Sequence, residues 1–583
     1  MNKRLLGLTC IPSAIVLFII LAANRDSVIL GYAVIEGLFL GIVEAVYLKR
    51  CKRRSNLWIL LLSLVAGVMI CYYGYARFYR EWLWAGDILR SILTRLFSEF
   101  ERGLRIAYIV AAIAAWPSAA VLAEMILRFV HYSLRTINYK NLWKEMTGDI
   151  SRRTIIKMVG TTFVVLSSAV LIGTALLMVV FLLPTDRVEH NVVRSAYTIQ
   201  EEGRYPQLTR YATSTLDNHT DSIILAEAAS TLGTSLLEDV MNVPRGYVDD
   251  LNAPDSLGAH YIEGKPFNSI TIYARYWHGY LIFVKPLLEI MDYKTIRILN
   301  GIVQIALAGL ICGVLFKKGK MAAIIPYLLA YSMLMPLALA KSFQYSPCFY
   351  IFNLGCLSLL LLNDEKRKKY SYIVFLLCGV FTSYFDFLTY PISTFGMPML
   401  FYLYLSDDDS EESKIIATIR NGFFWCIGLA AMWVSKWVVA SIVIGENIVA
   451  ASFGSVKYRT STMTSDWLGD YNAFDCVVAN YKTFLITPVT IIAMIYIGFL
   501  VYKGFKQNCL STWSICRILF PFFVTGLAPV AWHAFAKNHS MIHTWFTNKA
   551  CVVTLLAMLF GLISLFQENN KQAEISEKSN HQT

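Results

Sequence analysis

Charge is what this chain has least of: only 16% of its 583 residues are Asp, Glu, Lys or Arg, 56% are hydrophobic, and the mean hydropathy is +0.51. So few charges cannot cover a soluble domain of this size, which leaves a polytopic membrane protein. Phosphate-cradling motifs are missing too: no Walker loop, Gly-rich nucleotide fingerprint or kinase signature occurs, which argues against direct use of a cytoplasmic nucleotide. The twelve cysteines lack metal-ligand or redox spacing. Six of them, Cys71, Cys312, Cys356, Cys378, Cys426 and Cys551, lie inside apolar runs, as small buried hydrophobes do. No internal repeat is evident, which weighs against an inverted-repeat transporter. The net charge of +12 comes from short basic clusters between apolar runs, a pattern that reports membrane orientation and predicts no nucleic-acid partner.

Apolar runs fall near 5–23, 28–48, 57–75, 106–130 and 155–183, then near 296–316, 321–340, 349–362, 372–384, 391–405, 423–444, 485–501, 518–530 and 552–566. By the length needed to cross a bilayer, that is about fourteen spans. The basic connections 49–54, 135–157, 317–320, 366–369 and 503–506 all fall on one side if the N-terminus is cytoplasmic. The Arg-bearing segment 77–105 strains this arrangement, and 372–405 must form two short spans around Asp386. The expected architecture is all-α: a four-span module over 1–150, a membrane domain over 151–566, and a disordered cytoplasmic tail over 567–583. The membrane domain carries a large helical extracytoplasmic loop, 185–268.

That loop holds thirteen acidic residues against six basic ones. Near its middle lies Leu216-Asp217-Asn218-His219-Thr220-Asp221. Four residues apart on a helix, Asp217 and Asp221 share one face at roughly 5 to 6 Å between Cβ atoms, a spacing that suits a metal, a shared proton or a general base. The plain alternative is that Asp217 caps a helix running over 218–232. Arg275, Tyr276, Trp277, His278 and Tyr280 mark the return to the membrane, where Trp and Tyr can simply form an aromatic belt and Arg275 and His278 suit a phosphate. Lys537, His539 and His543 form a later cluster, with His533 upstream and Lys549 downstream. Ser540 stands where a zinc protease has its Glu, so phosphate recognition by His and Lys is preferred to metal binding. Asp386 is a third carboxylate at membrane depth, where an acid is costly unless it has a use. Ser465-Asp466-Trp467 is a further outside motif. Two glycosylation patterns, at Asn218 and Asn538, are too short to carry weight.

Many spans, a large loop with an early acidic motif, and later outside loops bearing His, Lys and Arg resemble the GT-C superfamily of membrane glycosyltransferases, over 155–566. The resemblance implies a polyprenyl-phosphate-linked sugar donor, a glycan or lipid-linked acceptor, and an active face on the extracytoplasmic side of a bacterial plasma membrane. It makes Asp221 or Asp217 the catalytic base and Arg275, His278, Lys537, His539, His543 and Asp386 the donor-phosphate and substrate residues. No cofactor is implied, and a divalent cation is left open. In this chain the acidic motif comes some thirty residues after its span rather than at the membrane. The rival readings are a transporter or flippase for a lipid-linked glycan, and a polysaccharide polymerase.

Overall fold

The computed structural model describes residues 32, 34–43, 68, 119, 122–135, 137, 140 and 152–580, apart from 407–409, 463–470 and 508–509. The chain divides into two units, Met1–Thr136 and Ile137–Thr583. In the first unit, 34–43 and 122–135 are helical, the latter with an i,i+4 pair between Arg128 and Glu124 at 2.8 Å. Most of the four expected N-terminal spans lies outside the described residues.

The second unit opens with α1 (Arg152–Phe181). Its apolar stretch Thr154–Phe181 has 28 residues and a mean hydropathy of 2.6; at 1.5 Å per residue it is about 42 Å long, more than the roughly 30 Å of a bilayer core. Pro184 then caps α2 (Thr185–Glu202). This helix is amphipathic: Val188, Val192, Ala196 and Ile199 recur at helical spacing and are buried, so one stripe faces inward and the rest is polar. In α3 (Asn218–Ala229) nine of twelve residues are buried. It ends at Ser230 in extended backbone, before the expected end at 232. A two-stranded ribbon follows, β1 (Arg245–Tyr247) antiparallel to β2 (Ser269–Thr271), with Gly246 opposite Ile270.

Beyond the loop come α4 (Tyr293–Lys317), α5 (Asp364–Phe385), α6 (Ser393–Leu405), α7 (Glu411–Ile444), α8 (Ile448–Thr460), α9 (Lys537–Ile542) and α10 (Val552–Asn580), with further helices between them. The loop is not a separate domain. Its helices share one apolar core with Trp277, Tyr280, Leu281 and α7, the Trp277 indole donates to the Met432 carbonyl at 2.7 Å, and Lys436 of α7 donates to the carbonyls of Val240 and Met241 at 3.1 and 3.0 Å.

Among the described residues, five helices are long and apolar enough to cross a membrane: Thr154–Phe181, Tyr293–Lys317, Glu412–Ile444, Trp513–Phe535 and Thr544–Ala573. Ala473–Leu485 and Pro488–Lys503, bent by 90°, pass the same test only as a pair. Other apolar runs form shorter pieces. The run at 321–340 breaks at Met335, whose φ is +57°, and α6 has 13 residues, twelve of them buried. Hydropathy scores a helix wrapped by protein the same as one wrapped by lipid, which is why the ten runs expected from residue 155 onward exceed the membrane-length helices among the described residues. The turn around Asp386 is as expected, joining α5 to α6. The tail departs from expectation: α10 continues through Asn580 instead of ending near 566. Extending an existing helix needs no new nucleus, and Gln, Glu, Lys and Ala are good helix formers.

Candidate functional site

Asp217 is the N-cap of α3. Its carboxylate accepts the Thr220 N–H at 2.9 Å, and its own N–H donates to Ser342 Oγ at 3.1 Å. Capping and burial coincide, for Asp217 is only 3% exposed. Burial pushes its carboxyl up to about 7, with Asp221 adding to the rise and the Thr220 bonds opposing it. A carboxyl that gains and loses a proton near neutrality suits acid–base work.

Asp221, one turn on, has a different environment. One oxygen accepts Tyr293 O–H and the Phe343 N–H (3.0 Å), and the other accepts the Gln344 N–H (3.2 Å). Burial raises this carboxyl to about 6 against the pull of Arg297, Tyr293 and the two amides. Arg297 extends the knot: it donates to both oxygens of Glu202 at 2.8 Å, to Asn218 Oδ1 at 2.9 Å and to Tyr293. Asn218 in turn donates to Glu202 and to the Gly203 carbonyl, which engages its side chain fully and leaves no amide for a glycan. The knot pins α2, α3 and α4 to the turn at 342–345. Tyr345 reinforces it by donating to the Thr215 carbonyl at 2.9 Å.

Arg275 lines an aromatic cleft of about 60 Å³ together with Tyr276, Trp433, Trp437, Trp532, Arg459 and His539. Its guanidinium lies over the rings of Tyr273 and Tyr276 at 4.8 and 5.7 Å and donates to Ser455 Oγ at 3.1 Å. Its carbonyl accepts the indole N–H groups of Trp433 and Trp437 at 3.2 and 2.9 Å, so the tryptophans fix its backbone. Arg459, on α8, donates to His543 Nε2 at 3.1 Å. Among the described residues neither arginine has a carboxylate partner, and Arg275 Nε and Trp532 Nε1 are buried without a hydrogen-bond partner. An aromatic-lined pocket with two such cations suits an anion attached to an apolar body.

His539 is held by the turn around Asp386. The Asp386 carboxylate accepts from Thr389, at its N–H (2.9 Å) and its hydroxyl. This tight turn puts Leu388 at φ +65°, costly for a leucine, and offers the Leu388 carbonyl to His539 Nε2 at 2.7 Å. Burial pushes the Asp386 carboxyl up to about 6, but its oxygens serve the turn, so its role here is to position His539. The His539 and His543 rings meet at a tilt of 58° with centroids 5.1 Å apart. Aromatic contacts then lead back toward Asp217: His543 to Trp545 at 5.2 Å, Trp545 to Tyr205 at 5.3 Å, and Tyr205 to His219 at 6.1 Å. Tyr205 feels the charge of Asp217. Burial drives His219 down to about 4 and His539 to about 3, and lowers His543 as well.

The remaining expected site residues lie elsewhere. His278, at φ +56° and 1% exposed, contacts Glu227 at 3.2 Å, the Tyr280 hydroxyl at 2.6 Å and the Tyr273 carbonyl at 2.8 Å. Both ring nitrogens are engaged in the core, away from the cleft lining. Lys537 does not line the cleft either; its carbonyl accepts from Cys476 Sγ at 3.3 Å. Lys549 is buried and donates to the carbonyls of Thr213 and Leu334 at 2.8 and 3.3 Å, which ties the long loop to the helix break beside Met335. Ser465-Asp466-Trp467 lies outside the described residues. Sequence reasoning missed Arg459, Tyr205, Glu227 and the Tyr293–Arg297 pair. Only the last carried a signal, an i,i+4 pair at the start of an apolar helix.

Among the described residues no three His, Cys, Asp or Glu side chains group as metal ligands. The arrangement offers instead a titrating carboxyl, a neutral histidine pair and an aromatic cleft with two arginines. No family model, curated protein or solved structure matches the chain.

Proposed function

We propose that the chain is a membrane glycosyltransferase that moves a sugar from a polyprenyl-phosphate donor to a glycan or lipid-linked acceptor on the extracytoplasmic face, within a GT-C-like plan of about fourteen spans. The observation that carries this reading is the pairing of Arg275 and Arg459, without acidic partners among the described residues, on a tryptophan-lined cleft. The guanidinium groups suit the lipid phosphate, and the indoles suit the isoprenoid or the sugar face.

In this reading Asp217, rather than Asp221, is the base, because Asp221 has both oxygens committed to the knot. The acceptor hydroxyl attacks the anomeric carbon, its proton passes to the Asp217 carboxylate, and the bond from that carbon to the phosphate oxygen breaks. The electron pair leaves with the polyprenyl phosphate, whose charge the two arginines neutralise. A single displacement inverts the anomeric centre.

The test is in vitro transfer by purified protein supplied with a polyprenyl-phosphate sugar. Asp217→Asn still caps α3 but cannot accept a proton, so transfer is expected to fall by about 10² to 10⁴ while donor binding survives. Full activity in Asp217→Asn would overturn the assignment. Donor binding and movement across vesicles without any transfer product, in the unaltered protein, would favour a carrier.

A further inference from the structure

The two histidines beside the cleft are not equivalent, and their hydrogen bonds fix which nitrogen of each carries the proton. His539 Nε2 faces the Leu388 carbonyl at 2.7 Å, which can only accept, so the proton is on Nε2 and Nδ1 presents a lone pair. His543 Nε2 faces Arg459 Nη1 at 3.1 Å, which can only donate, so Nε2 is the acceptor and Nδ1 carries the hydrogen. Both Nδ1 atoms are buried with no hydrogen-bond partner among the described residues. His539 is 4% exposed and lines the cleft. The pair therefore offers one unused acceptor and one unused donor, on neighbouring rings whose centroids lie 5.1 Å apart.

We propose that His539 and His543 bind a neutral hydroxyl of the sugar, which donates to His539 Nδ1 and accepts from His543 Nδ1–H, and that they leave the phosphate to Arg275 and Arg459. This rests on the glycosyltransferase reading of the cleft and deepens it: the histidines select the sugar and the arginines hold its carrier. A phosphate diester has acceptors only and would set an oxygen against the lone pair of His539. Burial also keeps both rings neutral at physiological pH, so they lend a phosphate no charge. A hydroxyl satisfies both nitrogens at once, and a buried group left unpaired is costly.

Two measurements test this. Binding of a polyprenyl-phosphate sugar is compared with that of sugar-free polyprenyl phosphate. His543→Phe keeps a ring against Phe546 and removes the donor together with the contact to Arg459, so it is expected to weaken the sugar-bearing lipid about tenfold more than the sugar-free lipid. His543→Asn restores a donor near the Nδ1 position and is expected to recover most of the loss. Equal weakening of both lipids would place the histidines on the phosphate, and no change in either would mean that the pair holds a structural water; both results overturn the proposal. The second measurement is ¹⁵N NMR of the histidine rings with methyl glycosides or dimethyl phosphate, a diester with acceptors only, as probes. Glycosides are expected to shift the two Nδ1 signals, and phosphate is not. If the unaltered protein binds neither lipid, the donor reading fails and this arm decides the hydroxyl site alone: a phosphate-induced shift, or no glycoside-induced shift, overturns it.

Discussion

Two polar regions of the second unit are built on opposite principles. In the knot of Glu202, Asn218, Asp221, Tyr293 and Arg297, the charged groups of both signs meet and the Asp221 oxygens accept three donors. In the cleft, Arg275 and Arg459 meet rings, a hydroxyl and an imidazole but no described carboxylate, and Arg275 Nε, Trp532 Nε1 and the Nδ1 atoms of His539 and His543 are left without partners among the described residues. Buried polar groups are almost always satisfied in a folded protein. The knot pairs its charges and leaves only Arg297 Nε open, as a region that holds the fold does, whereas the cleft leaves these four open, as a region shaped for something that arrives does.

The largest effect that would sharpen this contrast is on Arg297. Arg297→Met strips a buried charge network of its main cation, leaving Asp221 uncompensated and Glu202 with only the longer contact to Lys341 at 3.9 Å, so it is expected to cost about 3 to 5 kcal/mol of stability, read as early thermal unfolding in detergent. The contrast fails if this variant is as stable as the parent.

On the other side, Arg275→Gln and Arg459→Gln remove cations that the fold does not neutralise. Each is expected to leave thermal stability nearly unchanged and to weaken donor binding by about tenfold to a hundredfold, the weight of a charge-assisted contact. Retained affinity in both would return the cleft to an aromatic belt. The double variant should lose more than either single one, since the two guanidinium groups line one cavity.

The smallest effect lies in the pH dependence of stability. Burial raises Asp217 to about 7 from an ordinary value of 3.8, so the folded chain keeps a proton there that the unfolded chain has already released. Stability from this group is therefore present at low pH and is lost as pH rises toward 7. Asp221 and Asp386, both raised to about 6, lose theirs slightly earlier. Asp217→Asn is expected to flatten the last part of that decline, between about pH 6 and 7, in unfolding curves collected from pH 4 to 8. An unchanged profile would mean that Asp217 is ionised throughout.

Much of this organisation is legible in the chain's local composition. An Asp ahead of an apolar run reads as an N-cap, and Asp217 is one. The turn around Asp386 and the long apolar helices α1, α4 and α7 follow from runs of apolar residues and the breaks between them. Arg275 stands out as a cation among aromatics, and it lies in the cleft. The division of roles inside each cluster is not legible in the same way. Asp217 and Asp221 look alike in the sequence, and so do His539 and His543. Which aspartate is tied up depends on Tyr293 and on a turn more than a hundred residues further along. Which histidine nitrogen is open depends on Leu388 and Arg459.

The sequence by itself determined the apolar helices of membrane-crossing length, their caps and the segments where polar chemistry gathers, because each of these depends on hydropathy, propensity and spacing within one or two turns of chain. Only the tertiary structure decided which polar groups are spent on the fold and which stay open, since a donor or acceptor is satisfied by whatever segment packs against it. That identity is not encoded near the residue itself.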